Sequence, residues 1–442
     1  MDIALPHINI DMLIGIDDTD SPAGMCTTYL GAVLARQLIR EHMQVREARL
    51  VRLNPNVTYK TRGNAAIALD VVGDTDRAFT IACETVEALA EFSCENTNPG
   101  VVVAEEQLDP AFYIRAVTDF CEITDATRLL DAAGAQYKGY KNRRGLIGAA
   151  AAVASVFTDR THEILVYRDP ALWGTPRDVD RDSLFAAEDA TFPHTWDTVD
   201  VVNSVVVCVP HTPDPVLFGI RGESPAWVML ARSMIESEKP DIEQIWVTNQ
   251  GTDAHLRDGG VGGLREGLSY RVHGVVATAP ETGTGGHVSF MIEEGDSSVR
   301  CMAYEPTKNF RQIVRHLVPG DDVIVCGSFK KSSINLEKIR VVSLAAPVVS
   351  RPPVCAACGK RMTSDGRDKG YKCRKCGAHA RDPEVREITR RLAGGWYEVP
   401  PTARRHLAKP LCRGKPDYST SQVLMITRDC LVDHKMRLPL VR

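Results

Sequence analysis

Apolar and polar positions recur with two different periods over the first half of the chain. Short apolar runs predict buried strands over residues 13–16, 48–55 and 65–72. Apolar positions three to four residues apart predict amphipathic helices over residues 27–42, 76–92 and 226–238. The valine-rich stretch 195–210 predicts a further strand-rich region. Because strands and helices alternate along roughly the first two hundred residues, we expect an α/β or α+β body.

Residues 270–345 carry a different pattern, in which five short β-rich runs alternate with Gly/Pro turns. A helical segment at residues 310–317 interrupts these runs. Five strands and one helix in about eighty residues fit a small OB-type barrel, a frequent binder of single-stranded nucleic acid. An SH3-like or other small barrel gives a similar pattern. The glycine-rich residues 258–267 that precede this region predict a linker.

The 442 residues exceed what one hydrophobic core holds, so we expect two to four domains. The net charge of −4 conceals an asymmetry. Residues 351–442 hold 21 Lys and Arg against 9 Asp and Glu, which leaves 32 against 48 for the remainder. This difference predicts a basic module for a polyanion such as nucleic acid, joined to an acidic body. An ordinary solvated basic surface is the alternative.

Neither a membrane span nor a secretory signal is predicted. The longest apolar stretches have the length of a strand, well below the ~20 residues of a membrane helix. The N-terminus lacks a basic flank followed by a long apolar core. The 13 cysteines are mostly scattered singly, as in reduced proteins. We therefore expect a cytoplasmic protein without a membrane partner.

One cluster of cysteines stands apart. Cys355, Cys358, Cys373 and Cys376 form two CxxC pairs, each followed by glycine. Four thiolates close the tetrahedral shell of one ion, so the spacing predicts a structural Zn²⁺ ribbon; disulfide pairing is the alternative. The ribbon carries positive charge around one aromatic side chain, which suits an RNA backbone and a stacked base. The candidate RNA-binding residues are Lys360, Arg361, Tyr371, Lys372, Arg374 and Lys375.

Acidic residues crowd the end of the first predicted strand. Asp17, Asp18 and Asp20 offer the hard oxygens that Mg²⁺ prefers when it holds nucleotide phosphates, although a capping turn would use the same residue types. Thr27 and Thr28, at the predicted start of a helix, have amides and hydroxyls that can meet an anion or accept a phosphoryl group. An aspartyl-phosphate hydrolase with Asp18 as nucleophile is another interpretation of the same strand end.

Two basic turns complete the candidate phosphate site. Lys60 and Arg62 stand beside a glycine and predict an electrostatic clamp for phosphate charge. Lys141 and Arg144 come just before an apolar helix, where phosphates can meet both side chains and helix amides. Neither a GxxxxGK[ST] loop nor a clean GxGxxG is present, so the standard phosphate-loop folds are not predicted.

A set of motifs, taken in order, resembles the archaeal tRNA(Ile) 2-agmatinylcytidine synthetases (TiaS, agmatidine synthetases) over nearly the whole chain. No single motif is decisive, but the ordered set is specific. An OB-like segment and the zinc ribbon stand before the last of the motifs. The motifs are IDDTDSPAGMCTTYL, RLNPNVTYKTRGNAA, YKGYKNRRGLIGA, WGTPR, PHTPDPVLFGIRGES, NQGTDAHL and YEVPPTARRHLAKPL.

The resemblance implies a kinase-like catalytic domain, a ferredoxin-like domain, an OB fold and a zinc ribbon. It also implies a reaction, in which ATP and agmatine convert the wobble cytidine of the CAU-anticodon isoleucine tRNA to agmatidine. The 2-carbonyl oxygen of the cytosine is phosphorylated before agmatine displaces it, and ATP yields AMP and phosphates. ATP, Mg²⁺ and Zn²⁺ are the implied cofactors, and this tRNA and agmatine are the implied partners.

The resemblance also implies roles for individual residues. The family's autophosphorylated threonine falls on Thr27, and its Mg–ATP acids fall on Asp17, Asp18 and Asp20. Asp253 is a candidate for the contact with agmatine. Residues implied in ATP or phosphate binding are Thr28, Lys60, Arg62, Asn64, Lys141 and Arg144. The chain departs from the family pattern where Thr58 replaces a usual proline, and in having about eleven residues before the first strand.

These expectations divide the chain into five parts, although the first two parts can be interleaved. The divisions are a kinase-like domain at 11–194, a ferredoxin-like domain at 195–262, an OB fold at 266–347, a zinc ribbon at 351–382 and a basic C-terminal segment at 383–442. Besides the ligase and the hydrolase, an RNA-binding protein with an inert acidic body is a third interpretation. It explains the basic C-terminal region but not the acidic strand end together with the basic turn at 60–63.

Overall fold

The computed structural model describes residues 11–61, 63–346, 348–366, 369–387 and 390–414. Arg62, predicted to bind phosphate, therefore lies outside the described residues. Within these ranges, no helix combines the length and the apolar composition that a membrane crossing requires.

Residues 12–248 form one nine-stranded sheet covered by helices. The strand order is β5-β4-β1-β3-β2-β11-β6-β10-β7, with one parallel pair, β11 with β2, among antiparallel neighbours. The arrangement is therefore α+β. The elements are β1 (Met12–Asp17), α1 (Thr27–Arg40), β2 (Gln44–Arg52), β3 (Ala65–Val72), α2 (Thr75–Leu89), β4 (Gly100–Ala104), α3 (Pro110–Thr118), α4 (Ile123–Ala132), β5 (Gln136–Gly139), α5 (Gly145–Val153), β6 (Thr161–Arg168), α6 (Arg181–Thr191), β7 (Thr195–Trp196), β8 (Val199–Asp200), β9 (Val205–Val206), β10 (Val216–Gly222), α7 (Pro225–Ser233) and β11 (Pro240–Thr248).

Strand β1 lies inside this sheet and is buried on both faces. Ile14 and Ile16 pack in the core that contains α1 and α2, whereas Leu13 packs in the core that contains α3, α4 and α5. Because side chains alternate along a strand, Gly15 and Asp17 share the face of Leu13. Gly15 has no Cβ, which lets α5 lie directly against the strand: a Cβ there would stand 2.3 Å from the carbonyl oxygen of Ala149.

The structure confirms the strands predicted at 13–16 and 65–72 and the helices at 27–42, 76–92 and 226–238, within a few residues at most ends. The prediction that a strand-rich region opens at 195–210 is confirmed only in part, because the strands there are short. Only the two-residue strands β7, β8 and β9 form there, and Val201 and Val202 stay about half exposed. Valine propensity therefore fails where no neighbouring layer covers the side chains.

Residues 210–224 have the Pro- and Gly-containing composition of a loop, yet they include a buried strand. Strand β10 takes seven of these residues and pairs with both β6 and β7. Leu217, Phe218 and Ile220 are fully buried, so tertiary packing overrides the loop-like composition of the flanking Pro and Gly residues.

Residues 256–343 form a second, closed sheet. Its five main strands close in the order β13-β17-β18-β16-β15-β13, and α8 stands between β16 and β17. This confirms a five-stranded barrel with one helix. The elements are β12 (Leu256–Asp258), β13 (Ser269–Val276), β14 (Glu281–Thr282), β15 (Val288–Glu294), β16 (Ser297–Ala303), α8 (Phe310–Arg315), β17 (Asp322–Lys330) and β18 (Ser333–Ser343).

The zinc-ribbon region contributes only short strands. After it, the chain returns to the body as a segment that we call the C-terminal strap, residues 395–414. The strap begins as a strand that pairs with β18 of the barrel, and it then crosses to the large sheet, where the N–H of Gly251 donates to the carbonyl of His406 at 2.8 Å. The strands are β19 (Val348–Arg351), β20 (Thr363–Ser364), β21 (Tyr371–Lys372), β22 (His379–Ala380), β23 (Glu384–Glu387) and β24 (Gly395–Glu398).

The basic side chains of the strap are largely neutralised within the protein. Arg413 contacts Glu223 at 2.7 Å and Asp159 at 2.9 Å, and Lys409 contacts Asp159 at 2.9 Å. This part of the C-terminal positive charge therefore holds the strap to the acidic body. These two residues are therefore part of the basic C-terminal region, but their charges are used within the protein.

Candidate active site and zinc centre

A cavity of about 1180 Å³ opens where the large sheet, the start of α5 and the strap meet. Most of the predicted site residues that the structure describes in the N-terminal region line it. They are Asp17, Asp18, Asp20, Thr27, Thr28, Lys60, Asn64, Lys141 and Arg144. The cavity therefore brings together side chains that the sequence places in three separate segments.

Asp17 ends β1 and points toward α5. Gly148 of α5 leaves room for its carboxylate, since a Cβ there would stand 1.8 Å from Asp17 Oδ2. Burial, reinforced by the neighbouring charge of Asp18, raises the pKa of Asp17 well above its usual value. The ionised form of Asp17 is therefore disfavoured unless a cation binds next to its carboxylate.

Asp18 already has a cationic partner. Its backbone has a φ of 59°, in the left-handed region that non-glycine residues rarely adopt. Arg144 Nη2 donates to Asp18 Oδ2 at 2.9 Å and to the carbonyl of Asn96 at 2.6 Å. Arg144 therefore stands at the cavity wall with its guanidinium directed at an acid, a contact that does not favour Asp18 as a free nucleophile.

The three carboxylates do not converge on one point. Among the described residues, the one set of three or more His, Cys, Asp or Glu ligand atoms within 4.8 Å of one another consists of cysteines. The prediction that Asp17, Asp18 and Asp20 hold Mg²⁺ stays a prediction, and the three carboxylates do not all lie within that distance of one another. Mg²⁺ bound to nucleotide phosphates needs only one or two carboxylates, so Asp17 and its neighbour Asp20 still fit such an ion.

Thr27 starts α1, next to the acids. Its hydroxyl accepts a hydrogen bond from Thr19 Oγ1 at 3.0 Å, and both side chains are buried. Cys26, the N-cap residue, accepts no side-chain capping bond from the helix, so the first-turn amides of α1 have no such partner and suit an anion. Thr19 is not among the predicted site residues, because a hydroxyl between two acids is typical of a turn.

The predicted phosphate-binding residues of the two basic turns also line the cavity. Lys60 donates through Nζ to the carbonyl of Pro55, and Asn64 donates through Nδ2 to the carbonyl of Asn54 at 3.0 Å, so both belong to the turn between β2 and β3. Lys141 Nζ donates to the carbonyl of Cys94 at 2.6 Å and has a φ of 52°. Strained backbone of this kind clusters at functional sites.

Strands β6 and β10 and the strap add residues to the cavity that are not among the predicted site residues. Glu163, almost fully buried, accepts from Arg221 Nε at 3.2 Å and lies 4.0 Å from Arg52 Nη2. Arg221 also donates to His406 Nδ1 at 2.8 Å. These four residues come from four separate segments, so no local spacing connects them.

Asp253, the candidate contact for agmatine, lies elsewhere. Its carboxylate contacts Lys338 Nζ at 2.7 and 2.9 Å and accepts the backbone N–H of Lys409 at 2.7 Å. It is absent from the described lining of the cavity. The structure therefore gives Asp253 a place in the junction between barrel, sheet and strap.

The four ribbon cysteines form a compact ligand set. Their sulfur atoms all lie within 4.8 Å of one another, with Cys355–Cys376 at 3.4 Å and Cys358–Cys373 at 3.5 Å. These distances exceed the ~2.05 Å of a disulfide and approach the ~3.8 Å edge that follows from Zn–S bonds of about 2.3 Å. Backbone N–H groups, of Cys376 first, lower the pKa of Cys373 to about 6, which favours the thiolate.

The candidate RNA-binding residues of the ribbon differ in exposure. Lys360, Lys372, Arg374 and Lys375 are exposed to solvent, as a contact with RNA requires. Arg361 is exposed but already contacts Glu384 at 2.9 Å. Tyr371 packs half-buried against the cysteine core, which leaves only part of its ring for a base.

Models of known families match three parts of the chain. They are the TiaS TCKD domain over residues 13–75, the TiaS FLD domain over 143–255 and the TiaS C-terminal zinc ribbon domain over 352–392. The second match begins well before the predicted boundary at 195. That boundary also falls inside the continuous nine-stranded sheet, so the sheet itself marks no division there.

Whole-chain relatives agree with these matches. The isoleucine-tRNA 2-agmatinylcytidine synthetase TiaS of Methanocorpusculum labreanum is 54% identical over 407 residues, covering 92% of this chain and 98% of that protein. The structure of TiaS in complex with its isoleucine tRNA and ATP aligns at 42% identity with a TM-score of 0.85, covering 92% and 98% of the two chains. The complex of TiaS with this tRNA, AMPCPP and agmatine aligns at 40% identity with a TM-score of 0.84 and the same coverage.

Fold and cavity define a multidomain α+β protein with a five-stranded barrel, a four-cysteine zinc ribbon and a large cavity lined by acidic and basic side chains. The comparisons narrow this class to one family. The chain belongs to the TiaS family, the isoleucine-tRNA 2-agmatinylcytidine synthetases.

Replacing Asp17 tests the cost of its buried charge. Since its folded-state pKa lies above the unfolded value of 3.8, stability falls as pH rises from that value through the folded-state pKa. We expect Asp17→Asn to raise the melting temperature of the ligand-free protein at about pH 8. Differential scanning fluorimetry across pH checks this, with Asp182→Asn, at an exposed carboxylate, as the control. A lower melting temperature for Asp17→Asn contradicts the expectation.

Removing zinc tests the ribbon. We expect about one zinc per chain by elemental analysis. Cys373→Ser should lose that metal and weaken binding of the tRNA about tenfold or more, because the exposed lysines and arginines lose their scaffold, while ATP affinity stays unchanged. Cys94→Ser, at a cysteine outside the ribbon, should keep the zinc. Full tRNA affinity in metal-free Cys373→Ser contradicts the role assigned to the ribbon.

Proposed function

We propose that this chain is an ATP-dependent ligase that joins agmatine to the 2-position of the wobble cytidine of the CAU-anticodon isoleucine tRNA, forming agmatidine. The observation that carries the proposal is the placement of Thr27 beside the acidic end of β1 in one cavity with the cationic turn after β2. Family membership supplies the reaction class. The isoleucine tRNA, ATP and agmatine bound in the related TiaS complexes support the choice of substrates.

The acidic side of the cavity is the proposed nucleotide site. Asp17 and Asp20 would hold Mg²⁺, which supplies charge neutralisation and orientation of the phosphates when bound. Arg144 contacts Asp18 in the ligand-free protein and would contact a phosphate oxygen when the nucleotide binds. The backbone N–H groups at the start of α1 offer further donors. Thr28, Asn64 and Lys141 complete the proposed set of ATP contacts from the described residues.

Thr27 is the proposed phosphoryl acceptor. The hydrogen bond from Thr19 fixes the orientation of its hydroxyl and stabilises the negative charge that develops on Oγ1 as the proton leaves. Because the hydroxyl is buried, water has little access to compete for the phosphoryl group. The position thus combines a nucleophile, a fixed geometry and low water access.

The proposed chemistry at cytidine solves a leaving-group problem. The cytosine carbonyl oxygen accepts a phosphoryl group from ATP: the new O–P bond forms as the phosphorus–oxygen bond to the rest of the nucleotide breaks, and the nucleotide leaves with that electron pair. The carbonyl oxygen is then part of a good leaving group. The deprotonated amine of agmatine then forms a bond to C2, and the C2–O bond breaks as phosphate leaves with the electron pair. The base reaches the cavity as an unstacked loop nucleotide, since a stacked base would not expose C2.

The wall formed by β10 and the chain before it is the proposed agmatine site. Val207, Pro210 and Val216 offer apolar surface for four methylene groups. Asp214 lies buried beside them and carries a carboxylate for the guanidinium or the amine. Its Oδ1 accepts the backbone N–H of Val216 at 3.0 Å, and its Oδ2 accepts the hydroxyl of Thr212. Oδ1 also lies 3.5 Å from Arg177 Nη2, a long contact that a better-placed cation can replace.

The predicted division into kinase-like, ferredoxin-like, OB, ribbon and C-terminal parts at 11–194, 195–262, 266–347, 351–382 and 383–442 stays a proposal. A cytoplasmic location also stays a proposal. It is supported by the tRNA substrate, which the enzyme shares with the translation machinery. The sheet that spans 12–248 supports treating the first two parts as one catalytic body.

Thr27→Ala tests the proposed nucleophile. We expect the incorporation of labelled agmatine into the isoleucine tRNA to fall by at least about a hundredfold, because the phosphoryl acceptor is gone. Thr27→Ser should retain most of the activity, since it keeps the hydroxyl. Tryptic mass spectrometry after incubation with ATP should find phosphate on the peptide that contains Thr27. Full activity of Thr27→Ala would exclude this role.

Asp214→Asn tests the agmatine wall. Loss of a charged hydrogen bond corresponds to about 1.5–3 kcal/mol, so the KM for agmatine should rise roughly tenfold to a hundredfold. The KM for ATP should stay within a factor of about two. Steady-state kinetics with agmatine varied checks this, and Asp182→Asn is again the control. An unchanged KM for agmatine places the substrate elsewhere.

A further inference from the structure

A second pocket of about 430 Å³ opens off the main cavity, and the two share part of their lining. It lies between the turn that follows β2, the end of β17 and the strap. No acidic residue occurs in its described lining. We call it the side pocket and define it by Arg52, Lys60, Lys330, Arg404, Arg405 and His406.

Some of these charges are compensated by neighbours outside the pocket. Arg404 contacts Glu398 at 2.7 Å, and Arg405 Nε lies 3.5 Å from Glu337. Lys60 and Lys330 differ. In the described part of the chain, no carboxylate lies within ion-pair distance of either ammonium group, and Lys60 donates only to a backbone carbonyl.

The uncompensated lysines repel each other and the nearby arginine. Partial burial, followed by the charges of Arg405 and Lys330, lowers the pKa of Lys60. This repulsion among Lys60, Lys330 and Arg405 lowers the stability of the ligand-free protein. A bound anion would remove this repulsion.

His406 adds a neutral donor where the side pocket meets the main cavity. Arg221 donates to its Nδ1 at 2.8 Å, and because a guanidinium only donates, Nδ1 is unprotonated and Nε2 carries the hydrogen. A Cβ built on Gly63 would lie 3.2 Å from Nε2, which places this N–H at the turn lining both cavities. This N–H is therefore a hydrogen-bond donor at the boundary between the side pocket and the main cavity.

The composition of the side pocket distinguishes between two sources of phosphate. Nucleotide phosphates arrive with a divalent cation, which needs carboxylate ligands, and the acids that offer these ligands lie at the end of β1. A phosphodiester of RNA carries one negative charge and needs no metal. A site with cationic donors and no acid suits the diester.

We propose that the side pocket binds a backbone phosphate of the substrate RNA, next to the nucleotide whose base enters the main cavity. This inference rests on the proposed function for the identity of the RNA. Lys60 and Lys330 pair with the phosphate oxygens, and His406 donates through Nε2. The barrel and the strap thus take part in positioning the reacting base.

Lys330→Gln tests the pocket at an exposed residue at the end of β17, where loss of the fold is not expected. We expect the tRNA affinity to fall about threefold to tenfold and the slope of log K against log salt to decrease by about 0.7–1. ATP affinity should be unchanged. The matched control is Lys239→Gln, which makes the same charge change at an exposed lysine outside the described lining of both cavities.

A backbone scan locates the phosphate. Single neutral methylphosphonate linkages are placed around the wobble position of full-length tRNA, and binding to the wild-type protein and to Lys330→Gln is compared. We expect one linkage next to the wobble nucleotide to weaken wild-type binding and to have little further effect on the variant. Such non-additivity identifies a shared contact.

His406→Gln and His406→Leu provide a second readout. Glutamine keeps an N–H donor and should retain tRNA affinity better than leucine, a difference that loss of packing alone does not produce. The proposal is overturned if Lys330→Gln weakens tRNA binding no more than Lys239→Gln, or if it weakens ATP binding instead. These binding measurements need no catalysis, so a failure to ligate agmatine would refute the proposed function separately.

Discussion

The close contact between α5 and the centre of the large sheet is the constraint on which the site depends. Strand β1 is buried on both faces, so each of its side chains must fit the layer that it meets. Gly15 lets the helix backbone touch the strand, and two residues later Asp17 meets the gap left by Gly148. The same contact that completes the core therefore holds a carboxylate at the edge of the cavity, where burial raises its pKa.

Charge organises the rest of the cavity. Acids at the end of β1 and Glu163 of β6 share the cavity lining with Lys60, Lys141, Arg144 and Arg221, so acidic and basic side chains meet there. The strap is held by ion pairs of Arg404, Lys409 and Arg413 with acids of the body. These pairs close the site with residues far apart in sequence, and they place His406 against Arg221.

Much of the fold was predictable because its signals are local. The periods that predicted β1, β3, α1, α2 and α7 reflect one buried face for each element, and neighbours along the chain carry that information. In residues 195–224 the tertiary surroundings outweigh the local pattern. Valines at 201 and 202 find no covering layer, whereas β10 is a strand because β6 and β7 flank it, which no local pattern records.

The candidate site divides in the same way. By itself, the sequence predicted the four ribbon cysteines, the acidic strand end and the position of Thr27 beside it, because each lies in a short local motif, and it indicated the family through the order of several motifs along the chain. Only the tertiary structure decided that Asp18 pairs with Arg144, that Asp253 belongs to a domain junction, and that Thr19, Glu163, Arg221 and His406 reach the cavity or its lining side chains. The physical reason is that ion pairs and hydrogen bonds depend on distance in space, and a contact between separate segments of the chain leaves no periodic trace in the sequence.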